Sequence, residues 1–146
     1  MKMKKSFKGI YRPTNPKKYV GNPNNIIYRS LLERRFMVYC DTHPDIIQWA
    51  SEELPIRYYN PIDKKWHRYF PDFLVKTSKD KKYIIEVKPS RQTSKPKAPK
   101  RKTKAFMRES FEYIKNQAKW GAAMEYAEDN NAEFKIITEK ELGVKF

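Results

Sequence analysis

The sequence is poor in the residues that most often build covalent or soft-metal chemistry. It has one cysteine, Cys40, which excludes an intramolecular disulfide, and two histidines, His43 and His67. Those three side chains cannot complete a tetrahedral zinc site, and they leave a histidine-rich nuclease centre without support. Long apolar runs are missing too: none approaches the roughly 20 residues that cross a bilayer. The basic start, Met1-Lys2-Met3-Lys4-Lys5, is followed by no apolar stretch and does not read as a secretory signal. Acidic side chains are outnumbered, 17 against 32 Lys and Arg. Any metal chemistry must rest on those few carboxylates.

What is present suits one domain of 146 residues with a modest core. Mean hydropathy is −0.92 and 34% of residues are charged, but 14% are Phe, Trp or Tyr, each able to bury a large area. The net charge of +15 is uneven. Residues 1–104 hold 26 Lys and Arg against nine acidic residues, whereas residues 105–146 hold six against eight. A basic region of this strength points to a polyanion, nucleic acid before membrane, because no amphipathic basic helix is visible.

Two tracts carry much of that charge. Residues 1–25 contain Lys17 and Lys18 among seven basic residues and no acid, and Pro13, Pro16, Gly21 and Pro23 interrupt regular structure. This arm reads as either frayed and solvated or as a phosphate-touching arm anchored by Tyr11 and Tyr19. Residues 89–104 hold Arg91, Lys95, Lys97, Lys100, Arg101, Lys102 and Lys104 with three prolines and no acid or aromatic. Such a segment cannot bury a core, and it is expected to be a mobile loop placed to close over bound nucleic acid.

The centre of the chain reads as a β-hairpin. Phe70-Pro71-Asp72-Phe73-Leu74-Val75 and Tyr83-Ile84-Ile85-Glu86-Val87-Lys88 flank a turn of Lys, Thr, Ser and Asp. Centring the hairpin on Lys79 sets Asp72 opposite Glu86, and strand alternation puts Glu86 and Lys88 on one face with Val87 on the other. Opposed like charges destabilise a sheet. They become sensible if a hard divalent cation lies between them, since Mg²⁺ takes carboxylate, water and phosphate oxygens. The expectation is a metal-dependent centre for phosphodiester cleavage, with Lys88 holding a phosphate or easing deprotonation of an attacking water.

Around the hairpin, a helix capped at Asn24 or Asn25 and running to about Asp41 is expected from the spacing of Tyr28, Leu31, Leu32, Phe36 and Tyr39. Glu33 lies at the edge of its apolar face, as a third carboxylate of the centre or as the last residue of the capping box Ser30-Leu31-Leu32-Glu33. Residues 45–51 and 54–59 read as strands, with Glu52 and Glu53 as solvated loop charges between them. Residues 66–76 read as one strand bent at Pro71. A helix over 105–130 shows two apolar stripes and so is expected to be buried on two sides, with Gln117 and Lys119 between the stripes, placed to reach the site or, as is commoner, simply exposed. A strand at 134–138 and a helical turn at 139–142 follow.

This order, with Pro71-Asp72, then Glu86-Val87-Lys88 and a helical Glu33, resembles the PD-(D/E)xK nuclease superfamily. Within it, Asn15-Pro16-Lys17-Lys18-Tyr19-Val20-Gly21, Tyr28-Arg29-Ser30, Phe70-Pro71-Asp72-Phe73, Lys119-Trp120 and Ile136-Ile137-Thr138-Glu139 are similar to the head completion nucleases of large tailed phages. They are more distantly similar to the transposase endonuclease subunit of Tn7-type elements. The resemblance implies an α/β (α+β) fold with a restriction-endonuclease-like core, a central mixed sheet flanked by helices. It implies cleavage of double-stranded DNA with Mg²⁺ or Mn²⁺, Asp72, Glu86 and Glu33 serving the metal and Lys88 the water. Phosphate contacts are expected from Lys17, Lys18, Arg29, Arg91, Lys95, Lys97, Lys100, Arg101, Lys102 and Lys104. It further implies phage portal or head proteins as partners and a place in the host cytoplasm or on the virion. The phage role would be to make filled heads competent for tail joining. Two other readings share these features: a non-catalytic DNA-binding adaptor on the same fold, and a transposase-type endonuclease subunit.

Overall fold

The computed structural model describes residues 8–145. The first seven residues of the basic N-terminal tract, with Lys2, Lys4 and Lys5, therefore lie outside the described residues. From Lys8 onward the tract is not frayed. Gly9–Tyr11 (β1) pairs antiparallel with Ile26–Tyr28 (β2), and Pro16–Lys18 forms one 3-10 turn. Tyr11 and Tyr19 are both buried, stacked edge-on against Trp49. A carboxylate fixes this segment. Asp41 is fully buried and accepts hydrogen bonds from the Tyr11 hydroxyl and from the backbone N–H groups of Thr14 and Asn15.

The first helix is Leu31–Thr42 (α1), not a helix from Asn24 or Asn25. Ser30 is its N-cap, accepting from the Glu33 N–H at 3.1 Å, and the residues just upstream are claimed by the β1–β2 pair instead. Next come Ile46–Ser51 (β3), Ile56–Asn60 (β4) and Lys65–Tyr69 (β5). Phe73–Thr77 (β6) and Lys82–Val87 (β7) follow. The expected single strand over 66–76 is thus two strands, parted at Phe70-Pro71-Asp72. Proline offers no N–H for a ladder, and here it marks the point where the chain leaves one sheet for another. Last come Lys104–Asp129 (α2), Glu133–Ile137 (β8) and Glu139–Lys145 (α3).

The main sheet has the order β3-β6-β7-β8, antiparallel except for the parallel β7–β8 pair. It is the mixed sheet flanked by helices that the restriction-endonuclease-like expectation describes. A parallel neighbour needs a crossover, and α2 supplies it between β7 and β8. The β4–β5 hairpin forms a separate two-stranded sheet beside α2. Alternation along the strands divides the core in two. Phe73, Val75, Ile85 and Val87 face α1, together with Phe36, Met37 and Cys40. Ile84 and Leu74 face α2, together with Trp120, Ala123, Ala127 and Tyr69. Glu86 belongs by alternation to this second side.

Candidate active site

The β6–β7 register is Phe73↔Ile85, Leu74↔Ile84, Val75↔Tyr83 and Lys76↔Lys82, the hairpin centred on Lys79. Continued by one residue, it sets Asp72 against Glu86. Asp72 stands just before β6, where its Oδ2 accepts from the Val87 N–H at 2.8 Å and its carbonyl accepts from the Glu52 N–H at 3.0 Å. Glu86 is buried at 5% exposure. The Tyr69 hydroxyl donates to its Oε1, and the Lys88 ammonium lies 3.6 Å from its Oε2. The Lys88 backbone is held in turn, its N–H donating to the Ile137 carbonyl of β8 at 3.0 Å.

Glu33 approaches from the start of α1. The capping reading of Glu33 is seen directly. It occupies the third helical position after the Ser30 cap, and its Oε1 accepts from the Arg29 N–H at 2.8 Å, a reciprocal arrangement close to a capping box. Its charge is also felt at Asp72. Burial raises the Glu33 carboxyl above its ordinary value, opposed by the Arg29 N–H and reinforced by the charges of Glu52 and Glu86. Burial likewise holds the Asp72 carboxyl well above the usual carboxylate range, and the negative charges of Glu86 and Glu33 push it further the same way.

Whether these residues suit a divalent cation can be tested on that electrostatics. Among the described residues, no three Asp, Glu, His or Cys side chains are grouped to hold a metal ion by themselves. A hard cation needs only one or two carboxylates, the rest being water and substrate oxygen. Asp72 and Glu86 fit such a pair: Glu86 is buried and Asp72 half-buried, and the Glu86 charge disfavours that of Asp72 unless a positive charge joins them. The fit is to a two-carboxylate oxygen site with Glu33 as a nearby third charge.

Two participants escape the sequence reading, and a third is only partly foreseen, as a residue placed either to reach the site or to be simply exposed. Tyr69, the last residue of β5, reaches Glu86 from the β4–β5 hairpin because Pro71 turns the chain immediately after it. Glu52 is no free loop charge. It pairs with Arg29 through Nε at 3.2 Å and Nη2 at 3.1 Å, and its φ of 53° places a non-glycine residue in the left-handed region. Lys119 of α2 is the third. Its Nζ lies 5.5 Å from the Tyr69 ring centroid and 5.9 Å from that of Tyr58, and burial lowers its ammonium below the ordinary lysine value, helped by the charges of Lys115 and Lys88. A lysine in the gap between two apolar stripes was the available signal.

The expected phosphate-binding residues are dispersed. Arg91 lines, with Lys88, Arg108 and Asn116, a cavity of about 420 Å³ between the segment after β7 and α2. Arg29 lies near Glu33 and Asp72, paired with Glu52. Lys18 spends its ammonium on the carbonyls of Asp41 and His43, both at 3.0 Å, at the C-terminal end of α1, where a cation meets the helix dipole. Lys17, Lys95, Lys97, Lys100 and Arg101 are exposed. Lys102 and Lys104 border a different groove, with Ile62, Met107 and Phe111.

Residues 43–139 match the family described as the TnsA-like endonuclease N terminal, of the Tn7 type. The chain is also similar to the head completion nuclease of Enterobacteria phage T4, 38% identical over 138 residues that cover 92% of each protein. Both alignments span the hairpin that carries Asp72 and Glu86.

Proposed function

The chain belongs to the TnsA-like endonuclease N-terminal family, and from that premise we propose a metal-dependent deoxyribonuclease that hydrolyses phosphodiester bonds during phage head completion. The observation that carries the reading is the opposition of a half-buried Asp72 and a buried Glu86, with the Lys88 ammonium 3.6 Å from Glu86. Two opposed carboxylates weaken a sheet, and a cation held between them would offset that cost.

In this reading Asp72 and Glu86 hold Mg²⁺ or Mn²⁺, and Glu33 supports its shell of waters. The cation, when bound, supplies Lewis-acid stabilisation of the phosphoryl oxygens and a lowered water pKa. The remaining work falls to the chain. The Val87 N–H fixes one oxygen of Asp72, and the Tyr69 hydroxyl fixes one of Glu86, so both carboxylates enter the reaction already oriented. Lys88, anchored at both its backbone and its ammonium, sits where it can orient the attacking water and offset charge gained by the phosphate. Arg29 and Arg91 meet the flanking phosphates. The basic segment 89–104 is proposed to close over double-stranded DNA, with Lys95, Lys97, Lys100, Arg101, Lys102 and Lys104 neutralising its backbone.

The T4 protein's name supports the assembly role by similarity, and we extend it to portal or head proteins as partners. Incubating the protein with supercoiled and linear plasmid in Mg²⁺, and again in EDTA, tests the core of the reading. Cleavage should occur only with the cation and should vanish in Asp72→Ala, Glu86→Ala and Lys88→Ala. Variants that fold and cut at the parental rate would falsify the assignment.

A further inference from the structure

The outward face of the β4–β5 hairpin has no part in the centre described above, yet its composition is unusual for a solvated surface. On the inward face, Ile56, Tyr58 and Tyr69 are buried. On the other, Arg57, Tyr59, Trp66 and Arg68 are exposed, and Phe70 continues the row. Trp66 is 59% exposed, Tyr59 44% and Phe70 41%.

The register makes this a built pattern. Tyr59 lies directly across from Trp66, and Arg57 directly across from Arg68. Two directly opposed arginines repel one another, an arrangement that costs stability in an isolated sheet. The Arg57 guanidinium stacks 5.0 Å from the Trp66 ring centroid and that of Arg68 5.8 Å from Phe70, while the Tyr59 and Trp66 rings meet edge-on at 5.6 Å. Neither strand contains an acidic residue. The result is a row of upright aromatic faces interleaved with fixed positive charge.

We propose that this face binds single-stranded DNA. Unpaired bases stack on exposed Trp, Tyr and Phe rings, and the guanidiniums between them meet the phosphates that connect those bases. Duplex DNA fits the surface less well, because its bases are already stacked and present only edges and backbone. An acidic protein segment would satisfy the arginines and leave three aromatic rings without partners. The surface is separate from the carboxylate centre, so it serves a strand that is unpaired before or after cutting.

The molecule carries its own reporter. Trp49 and Trp120 are 1% and 3% exposed, which leaves Trp66 as the solvent-facing tryptophan. In EDTA, so that no strand is cut, titration of the full chain with oligo(dT) should quench and shift the emission of Trp66, while a duplex of equal length should do so far more weakly. Trp66→Ala should weaken oligo(dT) binding, measured by anisotropy of a labelled strand, about tenfold, and pairing it with Tyr59→Ala should weaken it further. Trp66→Phe, which keeps a ring, should bind nearly as well as the parent. All three substitutions are on the surface, and unchanged circular dichroism and melting temperature check that the fold is intact. The proposal is overturned if oligo(dT) leaves Trp66 emission unchanged, if duplex quenches it equally, or if Trp66→Ala binds with parental affinity. Binding in EDTA is read independently of cleavage, so its loss leaves the nuclease assignment standing.

Discussion

The Tyr69 hydroxyl donates a hydrogen bond to Oε1 of Glu86, joining the end of β5 to the middle of the main sheet. Burial raises the Tyr69 phenol far above its ordinary value, and the adjacent Glu86 charge adds to this, so it remains a donor at every working pH. A carboxylate with one oxygen held by Tyr69 and the other facing Lys88 cannot rotate freely. Tyr69→Phe removes that restraint and leaves a buried acceptor short of a donor, which costs about 1–3 kcal/mol. Cleavage by this variant should fall roughly tenfold, with a weaker apparent affinity for Mg²⁺ in a titration of rate against cation concentration. A parental rate at all Mg²⁺ concentrations would remove Tyr69 from the site.

Asp72 makes a prediction about stability with an unusual sign. Its carboxyl ionises in the ordinary range in the unfolded chain but well above it in the fold, through burial and the charges of Glu86 and Glu33. As pH rises through the ordinary carboxylate range, the unfolded chain gives up that proton first, so the folded state loses stability relative to it. Asp72→Asn removes the charge and keeps an oxygen for the Val87 N–H. Without divalent cation, the variant should melt about 3 °C or more above the parent at pH 8, with the gap closing near pH 4. Adding Mg²⁺ at pH 8 should raise the parent's melting temperature and leave that of the variant unchanged. Calorimetry showing a less stable variant at pH 8 would contradict the electrostatic account.

The hairpin was readable because its information is local: two β-rich runs, a polar turn and strict alternation fix both register and facing. Features that depend on distant partners were not. Ile26, Ile27 and Tyr28 join a strand because Gly9–Tyr11 lies beside them, and nothing within the 26–28 segment distinguishes that from the first turn of a helix. Glu52 looks like a loop acid until Arg29, 23 residues away, is brought to it. The two apolar stripes of α2 were read as two-sided burial, but the helix is buried along one face of its C-terminal half, and Met124 of the second stripe is exposed. Met107, Phe111 and Ile114 are exposed, whereas Trp120, Ala123 and Ala127 are buried. A helix of 26 residues is about 39 Å long, and strands of five or six residues span only about half of that. Its N-terminal half therefore overruns the sheet.

Asp41 should be the most costly polar residue to remove outside the centre. It is fully buried and accepts from the Tyr11 hydroxyl and the Thr14 and Asn15 N–H groups, while its backbone carbonyl accepts from Asn15 and Lys18. Asp41→Ala strands three donors in a packed interior, a loss on the order of 3 kcal/mol or more. The expected outcome is a large drop in urea midpoint, with amide exchange around residues 9–19 accelerating first. Asp41→Asn, which keeps an acceptor, should lose less. Equal midpoints for Asp41→Ala and the parent would show that the tyrosine packing alone holds the segment.

Lys119 separates stability from activity. Its ammonium is half-buried against the Tyr58 and Tyr69 rings, and burial with the nearby Lys115 and Lys88 charges lowers its proton affinity. A lysine whose folded pKa is depressed penalises the fold at every pH below its unfolded value, so Lys119→Met should melt higher than the parent at pH 7. The same charge lies close enough to be felt at Lys88 and Glu86, where it favours an incoming phosphate. Lys119→Met is therefore expected to cut DNA more slowly, by about tenfold, with the loss carried mainly by KM and relieved at low ionic strength. Lys119→Arg should retain most of the activity. If Lys119→Met melts higher and cuts at the parental rate, the residue belongs to the packing of α2 on the β4–β5 hairpin alone.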